Sequence, residues 1–158
     1  MEPILFNDFR TQWALIRRSA LEAVDRVGGS GWLILGAEVA AFEQALCEEW
    51  GLPFAVGCAS GLDALEIGLR ASGLEAGDEV ITTPLSAFAT TLAVIRAGGV
   101  PLFVDVDASG QIDLDLVEQG IETRGQTRFM LPVHLFGHAV DGARLESLRD
   151  RFELRVIE

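Results

Sequence analysis

Glu79-Val80-Ile81-Thr82-Thr83-Pro84-Leu85-Ser86-Ala87-Phe88-Ala89-Thr90-Thr91-Leu92-Ala93-Val94-Ile95-Arg96-Ala97-Gly98-Gly99-Val100-Pro101-Leu102-Phe103-Val104 is the stretch whose reading decides the fold. Glu79–Thr82 and Val100–Val104 are short apolar runs of strand length. Between them Ala87–Ala97 has the length of a helix, with Ser86 as a candidate N-cap. Strand, helix and strand in that order make a βαβ unit, whose strands lie parallel because the helix crosses over the sheet.

The same alternation extends in both directions. Further strands are predicted at Phe54–Cys58, Phe129–Val133 and Leu154–Ile157, and further helices at Leu62–Ala71, Leu114–Ile121 and Gly142–Arg151. Near-continuous apolar strands suit a sheet covered on both faces. The expected class is therefore α/β, a three-layer sandwich around a mainly parallel sheet. Upstream, Phe9, Trp13, Ile16 and Ala20 predict an amphipathic helix over Asp8–Val27, ended by Gly28-Gly29-Ser30-Gly31. The apolar run Trp32–Leu35 leads to Gly36, and a second helix is expected over Ala37–Trp50, with Val39, Phe42, Leu46 and Trp50 on one face and Gly51 as its stop. The expected organisation is an N-terminal helix and connecting segment over residues 1–35, followed by the main domain over residues 36–158.

A length of 158 residues, 49% hydrophobic and 23% charged, suits a globular chain with a real core. A net charge of −12 argues against a nucleic-acid backbone or an anionic membrane as partner. It leaves room for a small anion, which a few backbone N–H groups can bind locally. Cys47 and Cys58 suggest no disulfide framework and point to a reduced, cytoplasmic setting. The N-terminus lacks the pattern of a signal peptide, and no apolar run is long enough to span a bilayer. The chain holds twelve arginines and no lysine, so it contains no Schiff-base nucleophile.

Three segments following strands are candidate sites. In Val56-Gly57-Cys58-Ala59-Ser60-Gly61-Leu62-Asp63 a strand runs through a Ser-Gly turn into a helix, and the unpaired N–H groups of that first turn suit a phosphate. Ser60-x-x-Asp63 reads equally well as a capping pattern that needs no ligand. The P-loop and dinucleotide glycine fingerprints are absent, which sets aside a nucleotide-cofactor oxidoreductase. Phe88, at the start of the next helix, suits stacking on a flat heterocycle, or forms a core stripe with Leu92 and Ile95. In Pro132-Val133-His134-Leu135-Phe136-Gly137-His138 either imidazole is a ligand contact, but a glycine at a strand exit argues against a helical metal pair, and no metal is expected. Asp105 and Asp107 close the preceding strand and serve equally as turn residues, and Asp78 reads as a turn residue before its strand. All three segments fall at strand C-terminal ends, where open α/β sheets bind ligands.

Together these residues resemble the DegT/DnrJ/EryC1/StrS sugar aminotransferases, pyridoxal-phosphate enzymes of fold type I. The resemblance runs from Ser30-Gly31-Trp32 and Ile34-Leu35-Gly36 through Val39-x-x-Phe42-Glu43, Ser60-Gly61-Leu62-Asp63-Ala64-Leu65, Gly77-Asp78-Glu79-Val80-Ile81-Thr82 and Phe88-x-Thr90. It continues through Gly99-x-Pro101-x-Phe103-Val104-Asp105 and Val133-His134-Leu135-x-Gly137 to Val156-Ile157-Glu158. It implies the aspartate aminotransferase-like large domain, present as its front part over residues 36–158. It also implies a pyridoxal 5'-phosphate cofactor held at Ser60, Gly61 and Leu62, with Phe88 stacked on the ring. The commoner form of that turn is Ser-Gly-Thr, so Leu62 removes a hydroxyl donor and keeps a backbone N–H.

The implied activity is transfer of an amino group from an amino acid, glutamate being expected, to a keto-deoxysugar on a nucleotide diphosphate, by a homodimer. The Gly-Trp and Ile-Leu-Gly stretches resemble members acting on 3-keto-6-deoxyhexoses. In the family, an aspartate for the pyridine nitrogen follows the strand matching Arg155–Glu158, and the Schiff-base lysine lies further on. The expectation is thus an N-terminal portion of such an enzyme, inactive by itself. The competing expectation is a non-catalytic short relative that acts by binding or assembly.

Overall fold

A computed structural model describes residues 5–125 and 127–158. The elements run α1 (Arg10–Ser30), α2 (Ala37–Trp50), α3 (Gly61–Ala71), β1 (Glu79–Thr82), α4 (Phe88–Ala97), β2 (Val100–Phe103), α5 (Leu114–Arg124), β3 (Phe129–Met130), α6 (Gly142–Phe152) and β4 (Arg155–Val156), with a short 3-10 turn at Leu135–Gly137. The chain divides into two compact units, one ending at Gly57 and one from Cys58 to Glu158.

In the second unit the four strands form one parallel sheet in the order β2-β1-β3-β4. Successive side chains on a strand point to opposite faces, and the burial follows that alternation. Val80, Phe129 and Leu131 enter one core with Leu69, Ala93, Val94 and Ala97 of α3 and α4. Ile81 and Met130 enter the other with Val117, Ile121, Leu145 and Leu148 of α5 and α6. The sheet is thus covered on both faces, as its apolar runs predict, and the unit is a three-layer α/β sandwich. Gly68 lets α3 lie close to the sheet, since a Cβ there would stand 3.2 Å from Ile157 Cγ2. Thr82, fully buried, donates its hydroxyl to the Leu131 carbonyl at 2.8 Å and so ties β1 to the segment after β3.

Phe54–Cys58 is a correction to the expected strand set: it forms no strand, and Phe54 and Val56 are 84% and 85% exposed. A strand exists only through the ladder it makes with a neighbour, and no such ladder to the described residues reaches this segment. The apolar run alone does not supply one.

In the first unit α1 continues through Gly28 and Gly29, which the sequence reading takes as breakers. Interior glycine costs a helix only about 1 kcal/mol, whereas Gly31 adopts φ 68°, a left-handed cap that ends it. Arg26 forms a two-pronged ion pair with Glu38 at 3.0 and 3.1 Å, linking α1 to α2. Neither helix holds a buried residue.

Candidate cofactor site

Ser60 is the N-cap of α3. Its backbone is extended, and its Oγ accepts the Asp63 N–H at 3.2 Å while donating to Asp63 Oδ2 at 2.8 Å. This is the N-cap that Ser60-x-x-Asp63 predicts, with the Asp63 carboxylate closing onto the Ser60 hydroxyl rather than onto its backbone N–H. The cap uses the Asp63 N–H and the Ala64 N–H bonds the Ser60 carbonyl at 3.0 Å, so the N–H groups of Gly61 and Leu62 are left over. Gly61 is exposed, and no described atom would lie within 4 Å of a Cβ placed on it. Leu62 packs its side chain against the core shared by α3 and α4. The capping reading and the anion reading therefore coexist: the cap fixes the turn and leaves two donors open.

Phe88 opens α4, and its ring is 74% exposed. The stripe facing the core is Thr90, Ala93, Val94 and Ala97, while Ile95 is exposed. The expected stripe of Phe88, Leu92 and Ile95 is thus displaced. Small residues fill it because α4 lies close on the sheet, and Phe88 has no role in the core. Ser86 Oγ and Thr90 Oγ1 are 2.6 Å apart, bracing the turn below Phe88. Both α3 and α4 lead into strands of the parallel sheet and run against them, so both N-termini stand at its C-terminal edge. The helices are clamped together by Arg96: its Nε lies 2.7 Å from Glu66 Oε2, its Nη2 lies 3.6 Å from Asp63 Oδ1, and its carbonyl accepts from Arg70. The Glu66 contact is an ion pair outside hydrogen-bond geometry, so that oxygen is held by charge alone.

The same edge carries the ends of the other strands. After β2, the Asp107 carboxylate accepts the hydroxyl and N–H of Ser109 and the Gln111 N–H, and the Ser109 hydroxyl above all holds its pKa below the ordinary aspartate value. Asp105 accepts the next backbone N–H, and Asp78, at the opposite edge just before β1, accepts the Glu75 N–H, so these aspartates are turn residues. His134 Nδ1 accepts the Val140 N–H, and its Nε2 faces Glu158. The buried Gln111 amide, oriented with its nitrogen toward them, donates to the Val133 and His138 carbonyls at 3.0 and 3.1 Å. Phe136, between those carbonyls in sequence, is left-handed at φ 56° and exposed. Among the described residues no three His, Cys, Asp or Glu side chains converge as a metal site.

The sequence profile of the DegT/DnrJ/EryC1/StrS aminotransferase family matches residues 15–158. The chain belongs to that family. A dTDP-3-amino-3,4,6-trideoxy-alpha-D-glucose transaminase of Micromonospora megalomicea subsp. nigra is 39% identical over 143 residues, covering 90% of this chain and 38% of the relative. The solved structure of DesV from S. venezuelae, in complex with a ketimine intermediate, superposes with a TM-score of 0.92 at 36% identity, covering 99% of this chain and 42% of that one. NtdA from Bacillus subtilis, solved with the cofactor PMP bound, gives a TM-score of 0.84 at 37% identity over 89% of this chain and 32% of its own. The chain thus spans about two fifths or less of these relatives' lengths.

Family membership implies pyridoxal phosphate, and the residues at the sheet edge fit it. Two free N–H groups at a helix N-terminus, with open space at Gly61, suit a phosphate. An exposed Phe88 ring that serves no core suits a flat heterocycle. One feature opposes a dianion: Asp63 puts a carboxylate on the first turn of α3, and Arg96 is its cationic partner among the described residues. Arg96 carries no local sequence signal, because its partners lie on another helix.

Proposed function

We propose that the whole protein transfers an amino group from an amino-acid donor, glutamate, to a keto-deoxysugar carried on a nucleotide diphosphate, with pyridoxal phosphate as cofactor. The family match over residues 15–158 carries this reading, and the open turn at Ser60-Gly61-Leu62 supports it. Relatives named for a 3-amino-3,4,6-trideoxy and a 3-amino-3,6-dideoxy sugar support a 3-keto-6-deoxyhexose as acceptor.

In this reading Gly61 and Leu62 donate their backbone N–H groups to the cofactor phosphate, Ser60 fixes the turn, and Phe88 lies against the ring and excludes water from one face. When bound, the cofactor supplies an electron sink for the carbon that carries the amine. These residues bind and orient. They supply no covalent amine, since the 158 residues contain no lysine, and this stretch alone is expected to be inactive. The enzyme works as a cytoplasmic homodimer. The free cysteines Cys47 and Cys58 suit a reducing compartment, and among the described residues no helix is long and apolar enough to cross a membrane.

The test is to incubate the full-length protein with pyridoxal phosphate, glutamate and a dTDP-linked 3-keto-6-deoxyhexose, and to follow the amino sugar by mass spectrometry. An amino sugar carrying the glutamate nitrogen is the expected result. Cofactor binding without transfer from any amino acid would overturn it in favour of a non-catalytic binding relative.

A further inference from the structure

We propose that Arg96 is a positioning residue for the phosphate turn, acting through Asp63 on a neighbouring helix. This rests on the reading of Ser60-Gly61-Leu62 as the cofactor's anion site. Asp63 sits within the cap itself: its Oδ2 accepts the Ser60 hydroxyl at 2.8 Å and its N–H donates to the same oxygen at 3.2 Å. A phosphate on the Gly61 and Leu62 N–H groups therefore meets a carboxylate on the same helical turn. Like charges on one helical turn repel, which weakens binding of the anion.

Arg96 answers that charge from α4. Its Nη2 stands 3.6 Å from Asp63 Oδ1, on the side of the carboxylate away from Ser60, while its Nε is held 2.7 Å from Glu66. Glu66 in turn is bonded by Arg70 at 3.1 Å, and Arg70 donates to the Arg96 carbonyl. Two arginines and two carboxylates make a neutral cluster across α3 and α4. Within it the guanidinium offsets the Asp63 charge and keeps that carboxylate turned onto the Ser60 hydroxyl, leaving the two backbone donors to the ligand. The same clamp fixes the N-terminus of α3, which bears the phosphate turn, against α4, which begins at Phe88.

The experiment compares the dissociation constants of pyridoxal phosphate and of pyridoxal, which lacks the phosphate, on the full-length protein. Arg96→Gln is expected to weaken pyridoxal phosphate by about three- to tenfold and to leave pyridoxal unchanged. Arg96→Lys, which keeps the charge, restores most of the loss. Asp63→Asn with Arg96 intact tightens pyridoxal phosphate, and in the Arg96→Gln background it cancels the defect, the signature of coupled residues. Equal losses for both ligands in Arg96→Gln would mean damaged helix packing and would overturn the inference, as would an unchanged affinity. If Arg96→Gln does not fold, Asp63→Asn decides alone: unchanged or weaker pyridoxal phosphate binding sinks it. A wild-type protein that binds both ligands equally well instead refutes the anion turn itself, an outcome read before any variant is made.

Discussion

His134 Nδ1 accepts the backbone N–H of Val140 at 3.0 Å, so the ring proton sits on Nε2 and points to Glu158, 2.8 Å away. One imidazole thereby joins the segment after β3 to the segment before α6 and to the residues following β4. The bond to Val140 matters most, because Val140 is buried and its N–H has no other partner there. Leaving such a donor unpaired costs about 1–3 kcal/mol. His134→Phe keeps a ring and removes the acceptor, and it should lower the unfolding free energy by that amount, read as a lower urea midpoint with an unchanged slope. An unaltered midpoint would show that the bond contributes nothing.

Thr82 makes the corresponding link inside the sheet. Its hydroxyl donates to the Leu131 carbonyl with no exposure to solvent. Thr82→Val is nearly isosteric and strands that carbonyl, so a loss of about 1–2 kcal/mol is expected, while Thr82→Ser should retain most of the bond and lose only a methyl contact. Denaturant titrations of the pair separate the two terms. If Ser is as damaging as Val, packing around the methyl group outweighs the hydrogen bond.

Much of this architecture was legible in the sequence because the strands are buried on both sides. Val80-Ile81 and Phe129-Met130-Leu131 have no polar face to confuse the reading, and their runs were recognisable as central strands. α2 was equally plain, bounded by Gly36 and Gly51. Phe54–Cys58 looked the same, but a strand is a relation between two segments, and its own residues do not say whether a neighbour exists. The α4 stripe was misread for a different reason. Bulk drew attention to Phe88, Leu92 and Ile95, whereas close packing on the sheet selects Ala93 and Ala97. Of the candidate site, the Ser60 cap was readable because it is local. The Arg96–Asp63 contact was not, since nothing within either helix announces a charge partner on the other.

Glu118 gives a pH dependence with a definite sign. Its carboxylate lies on α5 between Arg144 and Arg151 of α6, and the Arg144 hydrogen bond is the main reason its pKa falls below the ordinary 4.5. A depressed folded-state pKa adds stability that is complete above the ordinary value and is lost as pH falls through the folded value. Glu118→Gln should therefore be less stable than the parent at neutral pH, with the gap closing as pH drops below about 4.5. Thermal melts across that range check it. A gap independent of pH would place the effect in packing rather than charge.

Phe88 offers the sharpest separation between fold and site. Its ring is 74% exposed, and the core face of α4 belongs to other residues. Phe88→Ala should leave stability within about 0.5 kcal/mol of the parent, as for surface substitutions outside special features. If the ring stacks on the cofactor, the same change should weaken pyridoxal phosphate by about two- to tenfold, the range of an aromatic stacking contribution. Val94→Ala, two turns along and fully buried, should behave in the opposite way. It removes buried methyl groups and should cost about 2 kcal/mol, with cofactor affinity preserved in the folded fraction. Measuring melting temperature and cofactor dissociation constant for both variants yields a crossed pattern if Phe88 belongs to the site. A stability loss in Phe88→Ala with unchanged cofactor binding would return the ring to the fold and remove it from the site.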